Sequence, residues 1–160
     1  MRLKRTITCG FATACALASA SPAMAADACI VSKLALLFGR NDPVRFETHR
    51  IPALDGGTCE KRQTYRLPSY KPGHAFTKAD VKDVSYKCII PVAASGSPRS
   101  IALALLSDMQ KCDEMQGYPK IVSSDIFVDL KGQPPAQVYI GHSHEKMIVE
   151  FTLTITFATA

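Results

Sequence analysis

Residues 97–117, SPRSIALALLSDMQKCDEMQG, decide how the chain is read. Ser97 can cap the first free backbone N–H groups, and Pro98 suits the first helical position, where no donor is needed. Ile101, Leu105, Met109, Cys112 and Met115 recur at spacings of three and four, which lays them along one helical face. Gly117 suits the left-handed residue that closes a helix, and Pro119 prevents its resumption. One well-capped central α-helix is expected. Its polar side (Arg99, Ser107, Lys111, Glu114) reads as solvent-facing, so the helix is expected to be scaffold, not site.

The flanking runs are β-like. Residues 146–158 alternate most cleanly, with Met147, Val149, Phe151, Leu153, Ile155 and Phe157 on one face and Glu150, Thr152, Thr154 and Thr156 on the other. Such alternation marks an antiparallel sheet with one buried and one wet face. Residues 121–130 and 136–141 read as two further strands, and His142, Ser143, His144 and Glu145 as a tight turn between the last two. Before the helix, residues 44–51 and 84–90 read as strands. Residues 60–70 read as an edge strand at best, because Pro68 cannot donate to a ladder. Residues 29–38 are apolar but fit strand and short helix equally. Thr77 with Asp80 predicts a capping box opening one helical turn. The expected class is α+β: a small antiparallel β-sheet or OB-like barrel packed by one central α-helix and stabilised by disulfides.

The first residues read as an address. Arg2, Lys4 and Arg5 precede a short apolar run, and Ala23-Met24-Ala25 matches a small-x-small cleavage pattern before Ala26. Residues 1–25 are therefore expected to be a signal peptide and 26–160 a single exported globular domain, secreted or periplasmic in a bacterial cell. No later stretch is long and apolar enough to span a membrane. The leader holds three of the 19 basic residues and none of the 14 acidic ones, so the net charge of +5 falls to +2 without it. That balance gives no reason to expect a nucleic-acid partner.

Cys9 and Cys15 would leave with the leader. Cys29, Cys59, Cys88 and Cys112 remain, an even number that reads as two disulfides in an exported chain. Short closures favour Cys29–Cys59 and Cys88–Cys112. With no Cys-x-x-Cys pair, a zinc site on these residues is not expected.

Chemistry-bearing motifs are sparse. No Gly-x-Ser-x-Gly, His-Glu-x-x-His or phosphate-cradling glycine loop occurs, and no cofactor is implied. His142 and His144, two apart, point the same way on a strand and form the one candidate metal pair, with Glu145, His49 or His74 as a third ligand. Asp125 and Asp129 read as solvated strand residues more readily than as a catalytic pair. A hydrolase would need His49, His74 and a carboxylate gathered in one pocket. The stretch carrying Arg62, Tyr65, Arg66, Tyr70 and His74 mixes cations with tyrosines, a composition favoured at protein- or glycan-binding surfaces.

The terminal Thr152-Leu153-Thr154-Ile155-Thr156-Phe157 resembles the last strand of chaperone–usher pilus subunits. Cys29 with Phe38-Gly39 and Asp42-Pro43 is loosely similar to the start of spore-coat-U-type pilin domains. These resemblances imply a surface fibre subunit completed by strand exchange. The chain departs from the pilus pattern in lacking a near-terminal tyrosine and in carrying the capped helix. The expectation drawn is an exported, non-enzymatic binding module: a periplasmic accessory or inhibitor protein, or a receptor-binding subunit of a secreted assembly in which oligomers can form. A fibre subunit and a small secreted hydrolase are its alternatives.

Overall fold

The computed structural model describes residues 27–54, 56–66 and 71–158. The expected leader, Cys9, Cys15, Pro68 and Tyr70 lie outside them. Helix α1 (Ala28–Asn41) opens the described chain. Asp27 caps it, its Oδ1 accepting from the Cys29 and Ile30 amides at 2.6 and 3.2 Å. The ambiguous run thus resolves as helix. Its buried residues Ala28, Val31, Ser32, Ala35, Leu36 and Gly39 recur in steps of three and one, the stripe of a helix seated on a core.

A 3₁₀ segment, Pro43–Thr48, stands where a strand was expected. Pro43 favours a helical first turn, and the Thr48 hydroxyl donates to the Arg45 carbonyl at 2.8 Å. The apparent alternation here reflects Phe46 buried in the core and Val44 packed against it. Strand β1 (Thr58–Tyr65) is indeed an edge. A second 3₁₀ turn, Lys78–Asp80, carries the expected Thr77/Asp80 capping box and leads into β2 (Val81–Pro91).

Helix α2 (Pro98–Gln110) starts as predicted, with the Ser97 hydroxyl accepting from the Ser100 amide. It ends seven residues before Gly117. A turn through Cys112 releases the chain into β3 (Met115–Val122), where Gly117 (φ +70°) sits at a bulge rather than at a helix end. The expected single strand over 121–130 is a hairpin. Ser123 and Ser124 join β3 to β4 (Asp125–Leu130), with Ser123 at φ 58°. Strands β5 (Ala136–Ser143) and β6 (Ile148–Thr156) complete the sheet, and the turn between them falls at residues 144–147, two positions later than expected.

All pairings are antiparallel, in the order β1-β2-β6-β5-β4-β3. Strands β1 and β3 end this order, and among the described residues no pairing between them closes the sheet, so an OB-like barrel is not confirmed. β6, whose sequence resembles a pilus terminal strand, is interior and paired on both sides. Two helices, not one, pack the sheet: α2 against β5 and β6, α1 against β6 and β2, and each against the other. Val84, Tyr86, Cys88 and Ile90 of β2, Ile126, Val128 and Leu130 of β4, Val138 and Ile140 of β5, and Val149, Phe151, Leu153 and Ile155 of β6 belong to one core. Among the described residues no helix is long and apolar enough to cross a membrane.

Two disulfides are present, with a pairing opposite to the favoured one: Cys29–Cys112 and Cys59–Cys88. Strand register decides the second. Cys59 and Cys88 face each other across β1 and β2, with Cα atoms 4.1 Å apart. The first ties the opening turn of α1 to the residue just beyond α2. Closeness in sequence misled because the hairpin partner of Cys59 is 29 residues away, no farther than Cys29.

Candidate functional site

The helix side of the sheet opens into a cleft of about 350 Å³ between the first half of α2 and the β3–β4 hairpin. Helix α2 contributes Arg99, Ala102 and Leu103; the hairpin contributes Ile121, Ser123, Ser124 and Ile126; the end of β5 and the following turn contribute His142 and His144. Strand alternation explains the inward imidazole. Val138 and Ile140 point at the helices, so His142 does too. Its Nδ1 is buried without a hydrogen-bond partner, and its ring meets that of His144 edge-on at 5.5 Å between centroids. Among the described residues, none of Arg99, His142 and His144 forms an ion pair. The site thus gathers one fixed cation, two imidazoles and two hydroxyls around an apolar floor, with no carboxylate in its lining.

The expected metal pair is part of this lining, but none of its expected third ligands, Glu145, His49 and His74, is. Among the described residues, the one group of three or more potential ligands close enough to share an ion is Cys29, Cys112 and Glu114, and both its sulfurs are in a disulfide. His49 and His74 lie elsewhere, each with its own acid. His49 Nε2 meets Asp42 at 3.1 Å while its ring stacks on Phe38, and His74 Nε2 meets Asp80 at 3.2 Å.

Among the described residues of the Arg62–His74 stretch, Tyr65 and Arg66 make contacts within the fold. Arg62 pairs with Glu60 on the exposed edge of β1. Tyr65 packs on Phe76 with ring centroids 3.9 Å apart. Arg66 donates to the Ala79, Phe157 and Ala158 carbonyls, fastening the segment just after β6 to the end of β1. Tyr70 lies outside the described residues.

The opposite face of the sheet carries a second polar array. Tyr139 donates to Asp125 at 3.0 Å and lies across Gly141, which lines a smaller hollow of about 170 Å³ with Lys146 and Glu150. Burial first, then the Asp125 bond and charge, push the Tyr139 phenol up to about 12. Asp129 accepts from Gln137 at 2.8 Å and faces Lys120 at 3.7 Å. Asp125 and Asp129 are therefore both engaged across strands.

Arg99, Leu103, Ile121, Ser123, Ser124 and Ile126 also belong to the cleft, and no sequence motif marks them. The chain matches no family model, no curated protein and no solved structure.

Proposed function

We propose that this chain is an exported binding module, not an enzyme, and that its ligand seats in the cleft between α2 and the β3–β4 hairpin. The observation that carries the reading is the unpartnered, buried Nδ1 of His142 in a concavity that also presents Arg99 and His144 with no paired acid. Buried polar atoms are nearly always satisfied, so an orphan lining a cleft is a natural contact for a bound molecule. The lining favours binding over hydrolysis, because neither imidazole has a carboxylate to orient it as a general base. The leader-like residues 1–25 and the two disulfides support export, where such a module serves as an accessory component or receptor-binding subunit for a ligand carried by a protein, a glycan or free solution.

Two measurements test this. A small-fragment screen read by amide and imidazole NMR is expected to give hits whose shifts cluster at Arg99, residues 121–124 and His142 to His144. Hits confined to other surfaces, or none, would remove the cleft as a ligand seat. Intact mass of protein recovered from the periplasmic fraction is expected to correspond to a chain beginning at Ala26. Recovery only in the cytoplasm with Met1 retained would remove export.

A further inference from the structure

We infer that the cleft recognises a carboxylate joined to an aliphatic or aromatic body: the acid group against Arg99, His142 and His144, the body against Leu103, Ile121 and Ile126. The inference rests on the reading of the cleft as a ligand seat and adds the chemistry of what sits there.

The sign of the ligand follows from the lining. The Arg99 guanidinium offers a cationic fork that fits a carboxylate. Two imidazoles supply further N–H donors, and Ser123 and Ser124 supply hydroxyls. A cationic ligand would meet a like charge with no carboxylate in the lining to offset it. A divalent metal on His142 and His144 would have two protein side-chain ligands beside that same guanidinium.

The apolar half follows from exposure. Leu103 and Ile121 are 46% and 61% exposed, and they stand on opposite lips of one cleft, above buried Ala102 and Ile126. Two exposed branched aliphatics facing each other across a polar-ended concavity form a surface that an apolar ligand body would cover. A volume of about 350 Å³ suits a small molecule. Inorganic phosphate or sulfate would satisfy the cations and leave the lips bare. A neutral lipid would do the reverse.

The test is calorimetry together with imidazole NMR on the intact protein, using sodium octanoate, octanol, inorganic phosphate and Zn²⁺ as separate probes. Octanoate is expected to bind and to move the His142 and His144 ring signals. Octanol and phosphate should each bind roughly tenfold or more weakly than octanoate, the worth of one charged contact. Arg99 is exposed in the first turn of α2, so Arg99→Gln should leave the melting temperature unchanged while weakening octanoate by a similar factor. Ile121→Glu, at an exposed lip, should abolish octanoate binding. Equal binding of octanol and octanoate would overturn the inference and leave the cleft a ligand seat. So would Zn²⁺ displacing octanoate by binding His142 and His144. If octanoate moves neither ring while other fragments do, this inference fails alone; if no fragment moves them, the proposed function fails with it.

Discussion

At the scale of single residues, two tyrosines show how burial sets chemistry. Tyr86 is 1% exposed, its hydroxyl donates to the Pro52 carbonyl at 2.6 Å, and burial pushes its phenol from 10.0 up to about 12. Below pH 10 both folded and unfolded chains keep this proton, and the contribution to stability is fully present. Between pH 10 and 12 the unfolded chain releases the proton while the folded chain holds it, so stability falls as pH rises, by about 2–3 kcal/mol in total from this residue. Urea melts across that range should show the fall, and Tyr86→Phe should lessen it, leaving the part due to Tyr139, while costing about 1 kcal/mol at neutral pH through the lost hydrogen bond. Tyr139 gives a second test. A Cβ on Gly141 would stand 2.7 Å from its Cζ, so Gly141→Ala must swing the phenol off Asp125. The expected result is a loss of about 1–3 kcal/mol in a thermal melt and a Tyr139 titration, followed at 295 nm, that returns toward the ordinary tyrosine value. An unchanged titration would mean that the ring does not depend on that glycine.

At the scale of elements, what the sequence makes plain is where local chemistry is unambiguous. Ser97 and Pro98 announce α2, Thr77 and Asp80 announce the 3₁₀ turn, and the alternation through Val149, Phe151, Leu153 and Ile155 announces β6. What stays hidden is where an element stops. Met115 continues the helical spacing of Leu105 and Met109, yet it pairs with Leu130 in the sheet, because the disulfide-bound Cys112 turns the chain and the β4 edge offers a partner. Overextending α2 in this way conceals the β3–β4 hairpin, and with it Ile121, Ser123 and Ser124 of the cleft. Arg99 looks like an ordinary solvent-facing helix residue until that hairpin is placed opposite it. The two histidines were legible because their spacing is local; their surroundings were not. The buried face of α2 is likewise centred one residue from the predicted one, on Ala102, Leu105, Leu106 and Met109, with Ile101 only partly buried. Leu105→Ala should therefore cost about 2–5 kcal/mol in a urea melt, whereas Ile101→Ala should cost clearly less. Equal losses would restore the original face.

At the scale of the whole molecule, the two disulfides close loops of different kinds. Cys59–Cys88 joins strands that already pair along their length, and spans 29 residues. Cys29–Cys112 spans 83 residues and ties the opening turn of α1 to the turn that follows α2, two helices that also pack on each other. A crosslink acts mainly by restricting the unfolded chain, and the effect grows with the logarithm of the loop. The chain-entropy relation gives about 4.6 kcal/mol for the longer loop and about 3.6 kcal/mol for the shorter. The difference between the pairs is thus expected to be about 1 kcal/mol, with the longer bridge worth more. Geometry should widen the gap. The β1–β2 ladder persists without its bridge, while loss of Cys29–Cys112 frees the opening turn of α1 and the turn that delivers β3 to the sheet edge. Paired alanine variants, Cys29→Ala with Cys112→Ala and Cys59→Ala with Cys88→Ala, compared by urea denaturation, should therefore rank in that order. Only the first should also broaden the amide signals of residues 121–124, since that hairpin is placed by the chain leaving Cys112. If removal of Cys59–Cys88 proves the more costly, the sheet edge and not the helix layer holds the fold, and the cleft between α2 and the hairpin would survive loss of the longer bridge.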